Sequence, residues 1–130
     1  MRDLSGEYVL NRLACVLSRG ADAIQSGRLR IEHVEPVFRC HMAVVADAKP
    51  LEYSFELRSD AQDSSAGSET ASLRWEDNGL VARFRTENQD FVRTMSWRYE
   101  LEDGGRRLKA TERIRGGGQD QDNIWIFDRC

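Results

Sequence analysis

The chain has few of the residues that build metal or catalytic centres. His33 and His41 are its only histidines, so a multi-histidine metal site is excluded and at most one axial ligand for a haem remains. Cys15, Cys40 and Cys130 are odd in number and show no CxxC spacing, the pattern of neither a disulfide framework nor a zinc knuckle. Cys130 is expected to be a free, exposed thiol. No apolar run approaches the roughly 18 residues of a membrane span, and the first residues lack the apolar core of a secretory signal. Neither sign of charge dominates, with 19 Lys and Arg against 22 Asp and Glu, so no overall basic field draws the chain to nucleic acid or anionic lipid. These absences predict a cytoplasmic protein with no cofactor, no nucleic-acid partner and no membrane span.

Local signatures of chemistry are missing too. Gly116-Gly117-Gly118 is not followed by the Lys and helix of a phosphate loop. Asp120, Asp122 and Asp128 do not have calcium-loop spacing, and no Gly-x-Ser-x-Gly elbow occurs. Cys40 and His41 are neighbours in an alternating segment, so their side chains point to opposite faces and form no dyad.

What is present is period-two patterning. With 40% hydrophobic and 32% charged residues in a chain of 130, one globular domain spanning 1–130 is expected. The clearest stretch runs from Phe91 to Ile114. Phe91, Met95, Trp97, Tyr99 and Leu101 alternate with Val92, Thr94, Ser96, Arg98 and Glu100. After Asp103-Gly104-Gly105, Leu108, Ala110 and Ile114 alternate with Arg107, Lys109, Thr111 and Arg113. This is a hairpin with one apolar and one charged face. Similar segments cover Leu29–His33, Phe38–Val44, Leu51–Leu57, Ala71–Trp75, Leu80–Phe84 and Ile124–Phe127. Pro36 marks an edge or bend, and Ser59–Glu69 reads as a polar loop.

Registers test this reading, because facing residues in a hairpin must share a face. A four-residue turn Asp47–Pro50 sets Val44 opposite Tyr53 and Met42 opposite Phe55. An Asn78-Gly79 turn sets Trp75 opposite Ala82, and the Glu87–Asp90 loop sets Phe84 opposite Arg93. Asp103-Gly104 or Gly104-Gly105 keeps Trp97, Tyr99, Leu108 and Ala110 together. Every connection joins apolar to apolar faces. About eight to ten such strands with little helix to cover them should curl into a single closed, antiparallel up-and-down β-barrel.

The N-terminal region reads differently. Leu4–Leu10 begins a strand, after which Leu10, Leu13, Ala14, Leu17, Ala21 and Ile24 fall on one helical stripe. A short helical segment is expected there. A strand continued through Leu17 is the alternative, since Val9, Leu13, Cys15 and Leu17 share a parity.

In length and in this meander, which covers about four fifths of the chain, the sequence resembles the calycins, the superfamily of lipocalins and fatty-acid-binding proteins. Ser5-Gly6-Glu7-Tyr8 resembles their Gly-x-Trp start, with Tyr8 in the Trp position. The resemblance implies that Arg129 packs over that aromatic and that the 10–24 stretch occupies the place of a helical lid. The Arg-x-Tyr that holds a fatty carboxylate in the last strand of fatty-acid-binding proteins is absent, the end being Phe127-Asp128-Arg129. Fold alone does not fix function.

The informative residues are polar ones on the inward face: Arg93, Glu112 and His33. A charge inside a barrel is costly unless paired, hydrated or bound to a ligand. One reading has Arg93 receive an anionic ligand group while Glu112 or His33 orients a polar one, within a wall of Tyr53, Phe55, Trp75, Phe84, Met95, Trp97 and Tyr99. The other has Arg93 and Glu112 paired, or wet at a barrel mouth, with the aromatics filling the core. The expected activity is binding of a small hydrophobic or amphipathic molecule in the barrel, with a homodimer left open. The alternatives are an acid–base enzyme using Glu112 or His33, and an interaction module with a filled core. The basic stripe Arg106, Arg107, Lys109, Arg113 and Arg115 reads as a solvated outer face.

Overall fold

The computed structural model describes residues 3–19, 21–60, 64–66, 69–118 and 120–130, the 64–66 stretch by its backbone alone. Ten antiparallel strands follow one another: β1 (Gly6–Leu10), β2 (Ile24–Val34), β3 (Val37–Ala46), β4 (Lys49–Arg58), β5 (Ser64–Ala66), β6 (Glu69–Glu76), β7 (Gly79–Glu87), β8 (Val92–Glu102), β9 (Arg107–Arg115) and β10 (Gln121–Arg129). They form one sheet in the order β4-β3-β2-β1-β10-β9-β8-β7-β6-β5, so every neighbour is a sequence neighbour except β1 with β10. β5 lies inside the stretch that reads as a polar loop.

Two expectations about this architecture need correcting. The first is the N-terminal helical segment. The described residues contain no α-helix, and between β1 and β2 there is only a 3-10 turn, Arg12–Ala14. The reason is an unpaired length of β10. β1 is five residues long and covers only Phe127–Arg129 of β10, which leaves Ile124 and Ile126 without β1 partners on that side. The chain after β1 supplies them: Asn11 N–H donates to Ile126 O at 2.8 Å, and Val16 and Ile124 exchange bonds of 2.9 and 2.8 Å. Buried backbone groups must be satisfied, and the helical spacing yields to that demand. Leu13, on the expected buried stripe, is 99% exposed.

The second concerns closure. β4 and β5 end the sheet, and no ladder joins β4 to β5 or β6 among the described residues. The barrel is nearly closed, with side chains rather than hydrogen bonds crossing the gap, as where Phe55 of β4 meets Phe84 of β7 at 5.3 Å between ring centroids. Being an edge, β4 tolerates Pro50.

The registers keep the expected faces but shift by two residues at three turns. Val44 pairs with Leu51 and Met42 with Tyr53; Trp75 pairs with Leu80; Phe84 pairs with Met95. At the first turn Asp47 and Ala48 both take positive φ, a two-residue reversal whose twist suits a hairpin. At the second, Asp77 takes positive φ and Gly79 is the first residue of β7, paired with Glu76, rather than a turn residue. In the last hairpin Tyr99 faces Ala110 and Trp97 faces Glu112.

The core occupies the half of the barrel near the N-terminus. Tyr8, Ile31, Phe38, Leu73, Leu80, Leu108 and Phe127 are sealed from solvent there, each worth about 1.5–3 kcal/mol of burial. Leu4 plugs that end, its N–H donating to His33 Nδ1 and its carbonyl accepting from the Tyr8 hydroxyl. No helix among the described residues is long and apolar enough to cross a membrane.

Candidate functional site

Strand direction sorts the ten candidate residues into two groups. β8 enters from the end opposite Leu4, so Arg93 and Met95 stand near that end, Trp97 at mid-height and Tyr99 near the closed end. By the same argument Tyr53, Phe84 and Glu112 belong to the open half, Phe55 lies near the middle, and His33 and Trp75 belong to the closed end.

At the closed end every polar atom of His33 is engaged. The residue is 4% exposed. Its Nδ1 accepts from Leu4 N–H at 3.1 Å, which fixes the proton on Nε2, and Nε2 donates to Glu35 Oε2 at 2.6 Å. Glu35 Oε1 accepts from the Trp75 indole at 2.8 Å and the Ser59 hydroxyl at 3.2 Å. Burial works against the Glu35 carboxylate, but the bonds from His33, Trp75 and Ser59 outweigh it and hold its pKa below 4.5. This network fastens the N-terminus and leaves no free nitrogen for proton transfer.

The middle is filled with rings. Phe38 contacts Tyr99 at 5.3 Å, Tyr99 stacks on Trp97 at 6.1 Å, and Trp97 meets Trp125 at 6.0 Å. Trp97 and Tyr99 are therefore a packed floor. Above it the wall is less complete. Phe84, Met95 and Phe55 are half-buried, and Tyr53 is 55% exposed although its strand parity points inward.

Two charged groups stand above this floor. Glu112, 7% exposed, accepts from Asn123 Nδ2 at 3.0 Å and from Trp125 Nε1 at 3.1 Å, both on Oε1. Burial raises its pKa above 4.5, opposed by those two bonds and by the attraction of Arg93. Arg93 and Glu112 do not form an ion pair. Instead Arg93 Nε is buried and has no hydrogen-bond partner, an arrangement that costs about 1–3 kcal/mol or more for a charged donor.

Asn123 and Trp125 were not among the sequence candidates. Asn123 is 1% exposed, and its Oδ1 accepts from Ser18 N–H at 2.7 Å, so it joins the 11–18 strap to Glu112. The available signal was parity: Asn123, Trp125 and Phe127 alternate, and the last strand begins at Gln121 rather than Ile124. On the outer face the basic stripe is largely paired, Arg107 with Asp128, and Arg113 and Arg115 with Asp122. Below the closed end a concavity of about 810 Å³ lies between Asp3, Leu101, Arg106, Asp128 and Arg129. It is open to solvent, and four of its lining side chains, Asp3, Arg106, Asp128 and Arg129, are charged. No group of His, Cys, Asp and Glu among the described residues could hold a metal ion.

No family model and no curated protein matches the chain. Solved structures do. It is similar to lipid binding protein 8 of Caenorhabditis elegans, at 13% identity over 100% of this chain and 97% of that one, with a TM-score of 0.61. A REP1-NXSQ fatty acid transporter matches at 12% identity over 98% and 96%, TM-score 0.60. Human cRBP IV matches at 15% identity over the full length of both chains, TM-score 0.57. At such identities the likeness concerns the fold alone; in this chain the Arg129 guanidinium carbon lies 5.1 Å from the Tyr8 ring centroid. The chain has the same antiparallel β-barrel fold as these proteins.

Proposed function

We propose that the chain binds a small hydrophobic or amphipathic molecule in the open half of the barrel, above the Trp97–Trp125 floor. The observation that carries this reading is Arg93 Nε, a buried donor without an acceptor on the strand face it shares with Met95 and Trp97. A group kept out of water and left unpaired is explained if a ligand completes it. Phe84, Met95, Phe55 and Tyr53 would line the apolar part, with Arg93 and Glu112 as the polar contacts. The packed rings below confine the ligand to this half. Structural neighbours named for fatty-acid transport and lipid binding support the reading.

Free Cys15, Cys40 and Cys130 fit a reducing compartment such as the cytoplasm. The unpaired β4 edge is the place where a second copy would add to make a homodimer, which light scattering at graded concentrations tests.

The binding reading is tested with Nile red, a neutral dye that brightens in apolar surroundings. Saturable one-to-one uptake is expected, and Met95→Lys should abolish it, since the Lys stem can run out through the mouth and keep the barrel folded. Wild-type protein that takes up no dye would overturn the proposal.

A further inference from the structure

We propose that His33 is a pH-operated latch. Its neutral ring holds Leu4 in the closed end of the barrel, and a second proton on the ring releases Asp3 and Leu4 while the strands stay formed.

The bond that does the holding exists only with a neutral ring. Leu4 N–H donates to His33 Nδ1 at 3.1 Å, a buried bond between residues 29 positions apart. Nε2 already carries the ring's one proton and donates it to Glu35 Oε2, so a second proton can go only to Nδ1. There it meets Leu4 N–H head on. The bond is lost, and two donors face each other between side chains that are both buried. The latched arrangement therefore binds one proton fewer than the released one, and acid favours release.

The surroundings receive the cation that forms. Asp3 Oδ1 lies 4.0 Å from Nδ1, and Glu35 Oε2 lies 2.6 Å from Nε2. The backbone bond from Ser5 holds the Asp3 carboxyl below 3.8. At Glu35 burial is outweighed by the bonds from His33 and Trp75, so that carboxyl too stays below its usual 4.5. Both are thus ionised across the range in which imidazoles titrate. The other neighbours are uncharged: the rings of Phe38 from β3 and Trp75 from β6, at 5.7 and 5.8 Å. Arg129, the cation of this end, is spent on the Tyr8 hydroxyl and on the carbonyls of Gly105 and Ser5.

Geometry also sets where the movement stops. Asp3 is exposed, and its bond to Ser5 N–H at 2.8 Å leaves it beside the ring, placed to take the Nδ1 proton that Leu4 N–H cannot share. Ser5 Oγ exchanges bonds of 2.8 and 2.9 Å with His33 N–H and O. Neither bond involves the ring, so Ser5 remains fastened to β2 and acts as the hinge.

The experiment is NMR of the full chain between pH 7.5 and pH 5.5. It follows the His33 ring nitrogens and the exchange protection of the Leu4 amide, corrected for the intrinsic pH dependence of exchange. Leu4 should lose about tenfold or more of its protection as the ring takes its second proton, while amides within β3 keep theirs. His33→Asn puts an amide oxygen in the place of Nδ1 and cannot be protonated, so its Leu4 protection should stay level. Asp3→Asn keeps an acceptor for Ser5 N–H but removes the charge, and its release midpoint should fall by about half a pH unit. A ring that protonates while Leu4 stays protected would overturn the proposal. So would a ring that takes no second proton before the barrel unfolds, or the same pH-dependent loss in folded His33→Asn. If His33→Asn does not fold, the wild-type and Asp3→Asn profiles decide alone.

Discussion

Arg129 donates to the Tyr8 hydroxyl at 2.8 Å while its guanidinium covers the Tyr8 ring. That hydroxyl donates onward to Leu4 O at 2.7 Å, and Arg129 also donates to Gly105 O at 2.8 Å and Ser5 O at 3.2 Å. Residues from both ends of the chain thereby seal one end of the barrel. Tyr8→Phe removes the hydroxyl and leaves a buried carbonyl unpaired, which should cost about 1–2 kcal/mol in urea unfolding. Arg129→Ala should cost a similar amount. Because the two residues touch, the double variant should lose less than the sum of the singles, by about 0.5 kcal/mol or more. Additive losses would show that the contact carries no energy of its own.

The strap after β1 makes a second distinction measurable. If Leu10–Ile24 formed an amphipathic helix, Leu13 would be buried and its replacement by Ser would be severe. With Leu13 in solvent, Leu13→Ser should change stability by no more than about 0.5 kcal/mol. Leu17, which packs against the core, should show a clear loss for the same change. Equal costs at both positions would argue for the helix.

Comparing strap and hairpins shows which physics the sequence makes visible. Alternation fixes which side chains share a face, and a shift of two residues preserves that face. Tyr53, Phe84 and Trp75 therefore kept their inward parity while exchanging their cross-strand partners. The turn at Asp47-Ala48 hid its own position, since two non-glycine residues adopt the left-handed region there and Pro50 behind it reads as a turn residue. The strap was illegible for another reason. Its conformation answers to unpaired backbone groups on β10 more than one hundred residues away in sequence, and no local pattern records that need. Arg93 and Glu112 were visible as charges on an apolar face. Asn123 and Trp125, which decide that Glu112 is not spent on Arg93, became visible only with the true start of β10.

Asn123 should be the costliest polar residue to truncate in the open half. It donates to Glu112 and accepts from Ser18 N–H, and its truncation leaves both partners short in a dry site. Asn123→Ala is expected to lose about 2–3 kcal/mol. Amide exchange at Ser18 should accelerate more than exchange within β3, whose ladder is untouched. A uniform rise in exchange across the barrel would indicate a general loss of stability instead of a released strap.

Acidity should act on the two carboxyl networks, Glu112 buried and Glu35 largely exposed, with opposite signs. Glu112 has its folded pKa raised above 4.5, chiefly by burial, so the folded state holds its proton more tightly than the unfolded chain does. Its contribution is fully present below about 4.5 and fades as pH rises through the raised value. Glu35 has its pKa lowered because bonds from His33, Trp75 and Ser59 overcome burial. Its contribution is present above 4.5 and is lost as pH falls through the lowered value. Urea unfolding from pH 3 to pH 8 should therefore show Glu112→Gln gaining on wild type as pH rises above 4.5. Gln still offers an oxygen to Asn123 and Trp125 but carries no charge to desolvate. Glu35→Gln should do the reverse, matching wild type most closely at the acid end and falling behind toward neutrality. If Glu112→Gln tracked wild type in parallel across the range, the carboxyl would be hydrated in the folded protein and burial would not govern its proton affinity.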